Sequence, residues 1–225
     1  MKLWSNLFFL YKNIRKFFKK EQVPFIYVAL GDSTVEGVGA SRPDRSFAYI
    51  ISAFLKQSKG NVIFHNLGKS GATISDVITH QLGKAVALNP HLVTISVGAN
   101  DIRHKTKTND FINNLNLLLQ TLSEKTDAEI VINNIPDLSL APAVPAYLKH
   151  ISKLLVKKFN AIIEEEVKKY HVILVDLYFQ SKIYTKAYPE AISEDKFHPS
   201  DFGYALWANT IIAHMQHILF NQKNK

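Results

Sequence analysis

The sequence predicts a three-layer α/β/α sandwich on a parallel sheet of about five strands, a flavodoxin-like α/β class. After Pro24, short runs rich in Val and Ile alternate with longer amphipathic stretches, as strands joined by crossover helices do. The short runs are apolar on both faces, as expected of strands buried between helices. The 225 residues include no cysteine. One large domain fits this length, and disulfides, thiolate catalysis and cysteine-ligated metals are excluded.

The predicted elements follow one another in alternating order. The five strands are Phe25–Leu30, Val62–Asn66, Leu92–Val97, Glu129–Asn133 and Val172–Asp176. The helices are Phe47–Gln57, Ile74–Leu88, Asp110–Leu122, Tyr147–Tyr170 and a last one from about Asp201 to Leu219. The fourth helix carries an apolar stripe opposite a charged face. The stretch Ile135–Pro145 contains three prolines and is predicted to be a long loop.

The formal charge of +8 is concentrated at the N-terminus. Residues 1–20 contain six cations and no carboxylate, which leaves 21 cations against 19 carboxylates, a net charge of +2, in the rest of the chain. A nucleic-acid-binding protein should carry basic residues along a face of its fold, so nucleic acid is not expected as a partner. We divide the chain into a basic N-terminal segment, residues 1–22, and one domain, residues 23–225.

The N-terminal segment has the pattern of a basic amphipathic helix, since its aromatic and aliphatic residues recur at helical spacing. Its apolar run is too short to span a bilayer, and no small-residue site follows it for cleavage of a signal peptide. Two interpretations remain open: residues 1–20 contact a membrane surface peripherally, or they pack on the domain or on a partner subunit. The expected location is the cytoplasm or the membrane surface.

The first polar motif, Gly31-Asp32-Ser33-Thr34, directly follows the first predicted strand. A serine hydroxyl becomes a useful nucleophile at neutral pH only when a base takes its proton. A tight turn from strand to helix would expose the Ser33 oxygen at a helix N-terminus, where backbone N–H groups favour negative charge. Alone, this motif could equally be a helix cap made by Ser33 or Asp32.

Two further motifs follow the second and third predicted strands. Residues 66–73 contain two glycines, which would let backbone N–H groups approach a ligand closely. Residues 98–101 place Asn100 at a strand end, where its amide is a neutral donor for an oxyanion. Taken singly, the former could be a loop with Ser70 or Thr73 capping the next helix, and the latter an Asn turn.

The fourth motif, Asp195-Lys196-Phe197-His198-Pro199, precedes the last predicted helix. A carboxylate three residues before an imidazole can accept its Nδ1–H if the chain turns between them, which leaves Nε2 free as a base. The nine histidines show no spacing typical of metal ligands, so we expect no metal site.

Each motif alone is weak evidence for an active site. Three motifs after strands and one before the last helix, in this order, are together much stronger evidence. In this series the sequence resembles the SGNH or GDSL hydrolases. The name SGNH stands for Ser, Gly, Asn and His in four such blocks. The resemblance extends from about Ile26 to Leu219. Thr34 stands where the name-giving motif has Leu. Gly71, rather than Gly68, matches the second block, because residues 70–73 fit the family's Ser-Gly-x-Thr pattern.

The resemblance assigns a role to each matched residue. It implies a catalytic triad of Ser33, Asp195 and His198. It also implies an oxyanion hole made by the N–H groups of Ser33 and Gly71 and the side chain of Asn100. Members of the family hydrolyse carboxylic esters, and sometimes thioesters or sugar O-acetyl groups, without a cofactor.

The substrate prediction depends on the loop after the fourth strand. Residues 135–142 are apolar enough to line an acyl pocket, and we assign Asp32, Pro136 and Leu138 to substrate binding. With the N-terminal segment at a membrane surface, this favours small-molecule or lipid-like acyl esters. Two alternatives stay open: a carbohydrate O-acetyl esterase, whose site should show more exposed aromatic and polar residues, and a catalytically inactive membrane-surface adaptor, against which the four intact motifs argue.

Overall fold

Five parallel strands form one sheet, in the order β2-β1-β3-β4-β5, in the computed structural model, which describes residues 23–221 and side chains up to residue 216. The strands are β1 (Phe25–Gly31), β2 (Val62–Asn66), β3 (Leu92–Ser96), β4 (Glu129–Asn133) and β5 (Val172–Val175). Their register pairs Tyr27 of β1 with Phe64 on one side and Leu92 on the other. The predicted fold class and all five strands are confirmed, with ends that differ by one residue at most.

Eight helical segments connect and flank the strands in the described part of the chain. They are α1 (Ser33–Glu36), α2 (Phe47–Lys59), α3 (residues 74–87), α4 (Ala99–Arg103), α5 (Thr108–Lys125), α6 (Ala146–Val167), α7 (Leu177–Ala187) and α8 (Asp201–Asn221). The middle of α3, Ile78–Leu82, is a π-helical turn between two α-helical turns. Short 3₁₀ turns at Pro43–Arg45, Leu138–Leu140 and Pro189–Ala191 complete the connections.

The helices cover both faces of the sheet and enclose two hydrophobic cores. Side chains alternate between the faces along each strand. Tyr27 and Ala29 of β1 belong to the core beneath α2 and α8, whereas Val28 and Leu30 belong to the core beneath α3, α5 and α6. All four β1 side chains are fully buried, which explains why β1 has no polar face in the sequence.

Three of these helices were not predicted. The segments α1 and α4 have four and five residues, too short for helical periodicity to be visible. The sequence of α7 is rich in aromatic and β-branched residues, which have weak helix propensity. Asp176, predicted as the end of a strand, instead caps α7 by accepting a hydrogen bond from Phe179 N.

The order of strands places a candidate site at the carboxyl end of β1. The helix after β1 lies on one face of the sheet and the helix after β2 on the other. This reversal creates a crevice beyond the carboxyl ends of β1 and β3, where ligands bind in open α/β sheets. The first three polar motifs follow β1, β2 and β3, so they converge on this crevice.

The predictions for residues 1–20 lie outside the described residues and remain predictions. Within the range 23–221, no helix combines the length and apolarity needed to cross a membrane.

Candidate active site

Ser33 lies at a sharp turn between β1 and α1. Gly31 ends the strand with φ of 146°, and a Cβ there would come within 1.9 Å of Ser96 O. Asp32 caps α1, because its Oδ1 accepts hydrogen bonds from Thr34 N at 3.0 Å and Thr34 Oγ1 at 2.8 Å. Ser33 is therefore the first residue of α1, and its hydroxyl faces the crevice.

His198 connects Ser33 to Asp195. The Nε2 atom of His198 lies 2.9 Å from Ser33 Oγ, and its Nδ1 lies 2.6 Å from Asp195 Oδ2. The carboxylate fixes the tautomer with the proton on Nδ1, so Nε2 is the acceptor for the serine proton. The structure thus brings together three residues separated by up to 165 positions, in the order predicted from the sequence.

Several hydrogen bonds hold Asp195 as an anion. Although burial acts to raise the pKa of this carboxyl, the bond from His198 and those from two backbone N–H groups and the Ser193 hydroxyl hold it well below its usual range. Asp195 Oδ1 accepts from Phe197 N at 2.8 Å, His198 N at 2.9 Å and Ser193 Oγ at 2.8 Å. Asp195 therefore remains ionised and can stabilise an imidazolium on His198.

The loop that carries His198 packs against the segment after α1. A Cβ at Gly39, where φ is 92°, would lie 2.6 Å from Pro199 O and 2.8 Å from His198 Cβ. Nearby, the Tyr204 hydroxyl donates a 2.6 Å hydrogen bond to Val38 O. Burial, together with the charges of nearby carboxylates, raises the pKa of Tyr204 far above its usual value. Its hydroxyl therefore stays protonated and keeps this bond.

The loop that carries Gly71 is attached to the Ser33 turn. Lys69 N donates to Gly31 O at 3.0 Å, and Ser70 N donates to Glu36 Oε2 at 2.6 Å. Gly71 itself has φ of 82°, in the left-handed region that favours glycine. Gly68 N donates to Asn66 Oδ1 at 3.0 Å, so this N–H is already used, which favours Gly71 as the donor.

Asn100 lies beside this loop and beside Ser33. Its Nδ2 donates to Ala72 O at 3.1 Å, which uses one amide proton and leaves the other. Ser33 and Asn100 both line the crevice, whereas Gly71 lies one residue before Ala72, outside the lining. Within residues 23–221, the N–H groups of Ser33 and Gly71 donate no hydrogen bond. Ser33 N–H and one Asn100 amide proton are thus free donors at the cavity, and the Gly71 N–H is a free donor in the adjoining loop.

We predict that Asn100→Ala lowers kcat by roughly 10²–10³-fold with little change in KM, because an oxyanion donor acts mainly in the transition state. Steady-state kinetics on a soluble p-nitrophenyl ester measure both constants. A rise in KM alone would identify Asn100 as a substrate contact instead.

Gln81 also positions the Ser33 turn, and sequence reasoning missed it. This buried amide accepts from Gly31 N at 2.8 Å and donates to Gly31 O at 2.8 Å. Gln81 lies in the π-helical turn of α3, a feature often found at functional sites. Nothing in the sequence pattern marks a π turn, so Gln81 could not be found without the structure.

Asp32 lies at the floor of the crevice, where its environment favours the neutral acid. Burial raises its pKa to about 6, although hydrogen bonds from Thr34 and the nearby His198 oppose this. The folded state therefore favours the protonated carboxyl. Below about pH 4 this carboxyl is protonated in both the folded and the unfolded state, so its raised pKa does not change the free energy of unfolding. As pH rises from 4 to 6, that free energy falls by up to roughly 3 kcal/mol, because the unfolded state ionises first.

We predict that Asp32→Asn raises Tm more at pH 8 than at pH 4, since the amide removes the buried charge and keeps an acceptor for Thr34. Thermal unfolding at the two pH values measures the difference. Asp127→Asn, at an exposed position, is the control and should give no such difference. An equal Tm change for Asp32→Asn at both pH values would contradict the prediction.

A cavity of about 630 Å³ extends from Ser33 between α4, α6 and α7. Asp32, Pro136 and Leu138, assigned to substrate binding from the sequence, all line it. Its further apolar lining includes Ile102, Ile135, Leu140, Val144, Leu148, Ile151, Leu155, Ile192 and Trp207. The N-terminal part of the apolar stripe on α6 faces this cavity. Amphipathic spacing shows which side of a helix is apolar, but it does not show whether that side faces a core or a cavity.

The described residues contain no cluster of three or more His, Asp or Glu side chains arranged to hold a metal ion.

Comparison with known proteins identifies a family and a common fold. A model of the GDSL-like Lipase/Acylhydrolase family matches residues 29–206. Among solved structures, the acetylxylan esterase Axe2 from Geobacillus stearothermophilus has a TM-score of 0.68 and 16% identity, over 84% of this chain and 93% of that chain. No match was found among the curated proteins.

Two other solved structures are similar in the same way. The acetyl xylan esterase AlAXEase has a TM-score of 0.67 and 19% identity, over 84% of this chain and 98% of that chain. A member of the lipolytic protein G-D-S-L family from Veillonella parvula has a TM-score of 0.66 and 18% identity, over 84% and 96%. At these identities the likeness shows a common fold.

Proposed function

Since the chain belongs to the GDSL-like lipase/acylhydrolase family, we propose that it is a serine-dependent carboxylic ester hydrolase acting on acyl or lipid-like esters. The observation that supports this most directly is the continuous hydrogen-bonded line from Ser33 through His198 to Asp195, with Ser33 and His198 in the lining of a largely apolar cavity. A hydroxyl, a base and an anion in this order are the parts that acyl transfer requires.

The reaction has two steps. His198 Nε2 takes the proton from Ser33 Oγ as the oxygen attacks the ester carbonyl, and the imidazolium then gives this proton to the leaving alcohol. Water next attacks the acyl-enzyme with His198 again as the base, and Ser33 is released with its proton while the carboxylic acid departs. The Asp195 anion stabilises the imidazolium in both steps.

The developing negative charge on the carbonyl oxygen would be held by the N–H groups of Ser33 and Gly71 and by Asn100. This role is supported by the unused Ser33 and Gly71 N–H groups and the remaining Asn100 amide proton. Preorganised donors of this kind stabilise the tetrahedral intermediate more than the bound ester.

The size and lining of the cavity favour an acyl chain as substrate. An acetyl group would leave most of about 630 Å³ empty, whereas each methylene buried in an apolar channel contributes about 0.8 kcal/mol. Leu148, Ile151 and Leu155 of α6 line the cavity one turn apart, as a channel for an extended chain would require.

A carbohydrate O-acetyl esterase is the second candidate. The aromatic residues Tyr184, Phe197 and Trp207 line the same cavity and could stack on sugar rings. The acetylxylan esterases named above show that this fold accommodates such substrates. Most of the surface of the cavity is nevertheless apolar, so we favour the acyl ester.

One experiment separates the candidates: hydrolysis of p-nitrophenyl esters of increasing chain length, with acetylated xylan in parallel. An acyl esterase gives kcat/KM values that rise from acetate to octanoate and little acetate release from xylan. A carbohydrate esterase gives the reverse. No hydrolysis of any ester by folded protein would support the inactive adaptor.

We predict that Ile151→Trp lowers the ratio of kcat/KM for octanoate over acetate by roughly tenfold, because the larger ring fills part of the channel. The same ester series measures this ratio. Leu117→Trp is the matched control, since Leu117 is similarly exposed on α5 but does not line the cavity. An unchanged ratio for Ile151→Trp would mean that the acyl chain does not pass Ile151.

A further inference from the structure

Two cations lie at the mouth of the cavity. Arg103, in the last turn of α4, and Lys105 just after it both line the cavity and are exposed. Neither forms an ion pair with a carboxylate in the described part of the chain. Neither is required for the triad or the oxyanion donors, so the mechanism above leaves both without a role.

The carboxylates of the same cavity do not neutralise these cations at the mouth. Its lining contains two carboxylates, Asp32 and Asp137, and both are buried. Asp137 Oδ1 accepts hydrogen bonds from Ser139 N at 3.2 Å and Ser139 Oγ at 2.6 Å. The exposed end of the cavity is therefore positively charged and would attract an anion.

The backbone at Lys105 provides an independent observation. Thr106 N donates to Asp101 O at 2.9 Å and Lys105 N donates to Ile102 O at 3.2 Å, the pair of bonds that ends a helix in a Schellman motif. Lys105 takes the left-handed position of this motif, with φ of 57°. Glycine is usual there, and a lysine is less stable, so replacing Lys105 by glycine should not destabilise the fold.

We propose that Arg103 and Lys105 bind a negatively charged group of the substrate, a carboxylate or a phosphate, while its acyl chain lies in the apolar channel. This proposal rests on the proposed function and narrows its substrate class to anionic acyl esters. Guanidinium and ammonium groups are the usual ligands of both anions. The cations would thus orient the ester before Ser33 attacks.

The test compares esters that differ by one charge. The mono-p-nitrophenyl ester of azelaic acid carries a free carboxylate, and its methyl ester is the neutral match. Lysophosphatidic acid and the monoacylglycerol of the same chain form the second pair, with the phosphate on the alcohol side. For each pair, the selectivity is the ratio of kcat/KM for the anionic over the neutral ester.

The double variant R103Q/K105G is expected to lower this selectivity by about tenfold for at least one pair, mainly through KM, as expected of lost charge interactions near a surface. Added salt should lower the wild-type selectivity in the same direction. K84Q is the control: Lys84 is an exposed cation on α3 that does not line the cavity, and its replacement should leave the selectivity unchanged. The pair that responds identifies the anion.

The thermal stability of K105G separates a binding role from a structural one. Glycine suits the left-handed position, so Tm should stay equal or rise while the selectivity falls. Unchanged selectivity of the double variant for both pairs would overturn the proposal. If the wild type hydrolyses neutral esters without preference for anionic ones, the proposed function stands and this proposal fails. If it hydrolyses none, the proposed function itself fails.

Discussion

Ser33→Ala is expected to lower kcat on p-nitrophenyl esters by about 10⁶-fold, because the variant has no nucleophile to form the acyl-enzyme. The fold should be unchanged. The substitution removes the contact between the Ser33 hydroxyl and His198 Nε2. Alanine also has high helix propensity, so it suits the first residue of α1. Steady-state kinetics and thermal unfolding of the purified variant measure the two effects.

Ser70→Ala is the matched control for this variant. Ser70 lies beside Gly71 near the site, but it is exposed and only its backbone N–H makes a hydrogen bond there. Its hydroxyl should contribute little to kcat. Turnover close to the wild-type value in a folded Ser33→Ala protein would exclude Ser33 as the nucleophile.

His198→Ala is expected to have the second largest effect, a loss on the order of 10⁶-fold in kcat, since the general base and acid of both steps is removed. Asp195→Ala should cost less, roughly 10⁴-fold, because the carboxylate orients and stabilises the imidazole without transferring a proton. The double variant should be little worse than His198→Ala alone, because residues that act as a unit are not additive.

Kinetics of the two single variants and the double variant test this order. His171→Ala, at an exposed histidine before β5, is the control and should behave like the wild type. A larger loss for Asp195→Ala than for His198→Ala would contradict the assigned roles.

The sequence predicts the sheet well because the strands that form it are buried on both faces. Val28 and Leu30 on one side and Tyr27 and Ala29 on the other are all fully buried, so an uninterrupted apolar run marks β1. The helix α7 was missed for the opposite reason. Its exposed residues include Phe179 and Ile183, which hide the helical period.

The side chains of the proposed triad and oxyanion hole could be selected from the sequence because each belongs to a short motif next to a strand or helix end. Ser33 lies two residues after β1 and Asn100 four residues after β3, and His198 and Asp195 lie three residues apart. The sequence could not predict that they meet, which depends on the parallel register of the sheet. The family resemblance supplied that step.

The surroundings of the site were less predictable because they combine distant segments. Gln81 supports Gly31 across 50 positions, and its role depends on a π turn that has no sequence signature. Arg103 and Lys105 reach the cavity only because α4 packs near α6. Pro136 and Leu138, which line the cavity, could be placed near the site because their loop follows a strand directly.

Labelling with a fluorophosphonate, which reacts with an activated serine hydroxyl, followed by mass spectrometry, shows directly whether Ser33 is the nucleophile. We expect a single adduct per chain, located on Ser33, and no adduct in the His198→Ala variant, since the hydroxyl needs that base. Folded wild-type protein that gains no adduct, or gains it on another serine such as Ser70, would contradict the assignment of this chain as a serine hydrolase acting through Ser33.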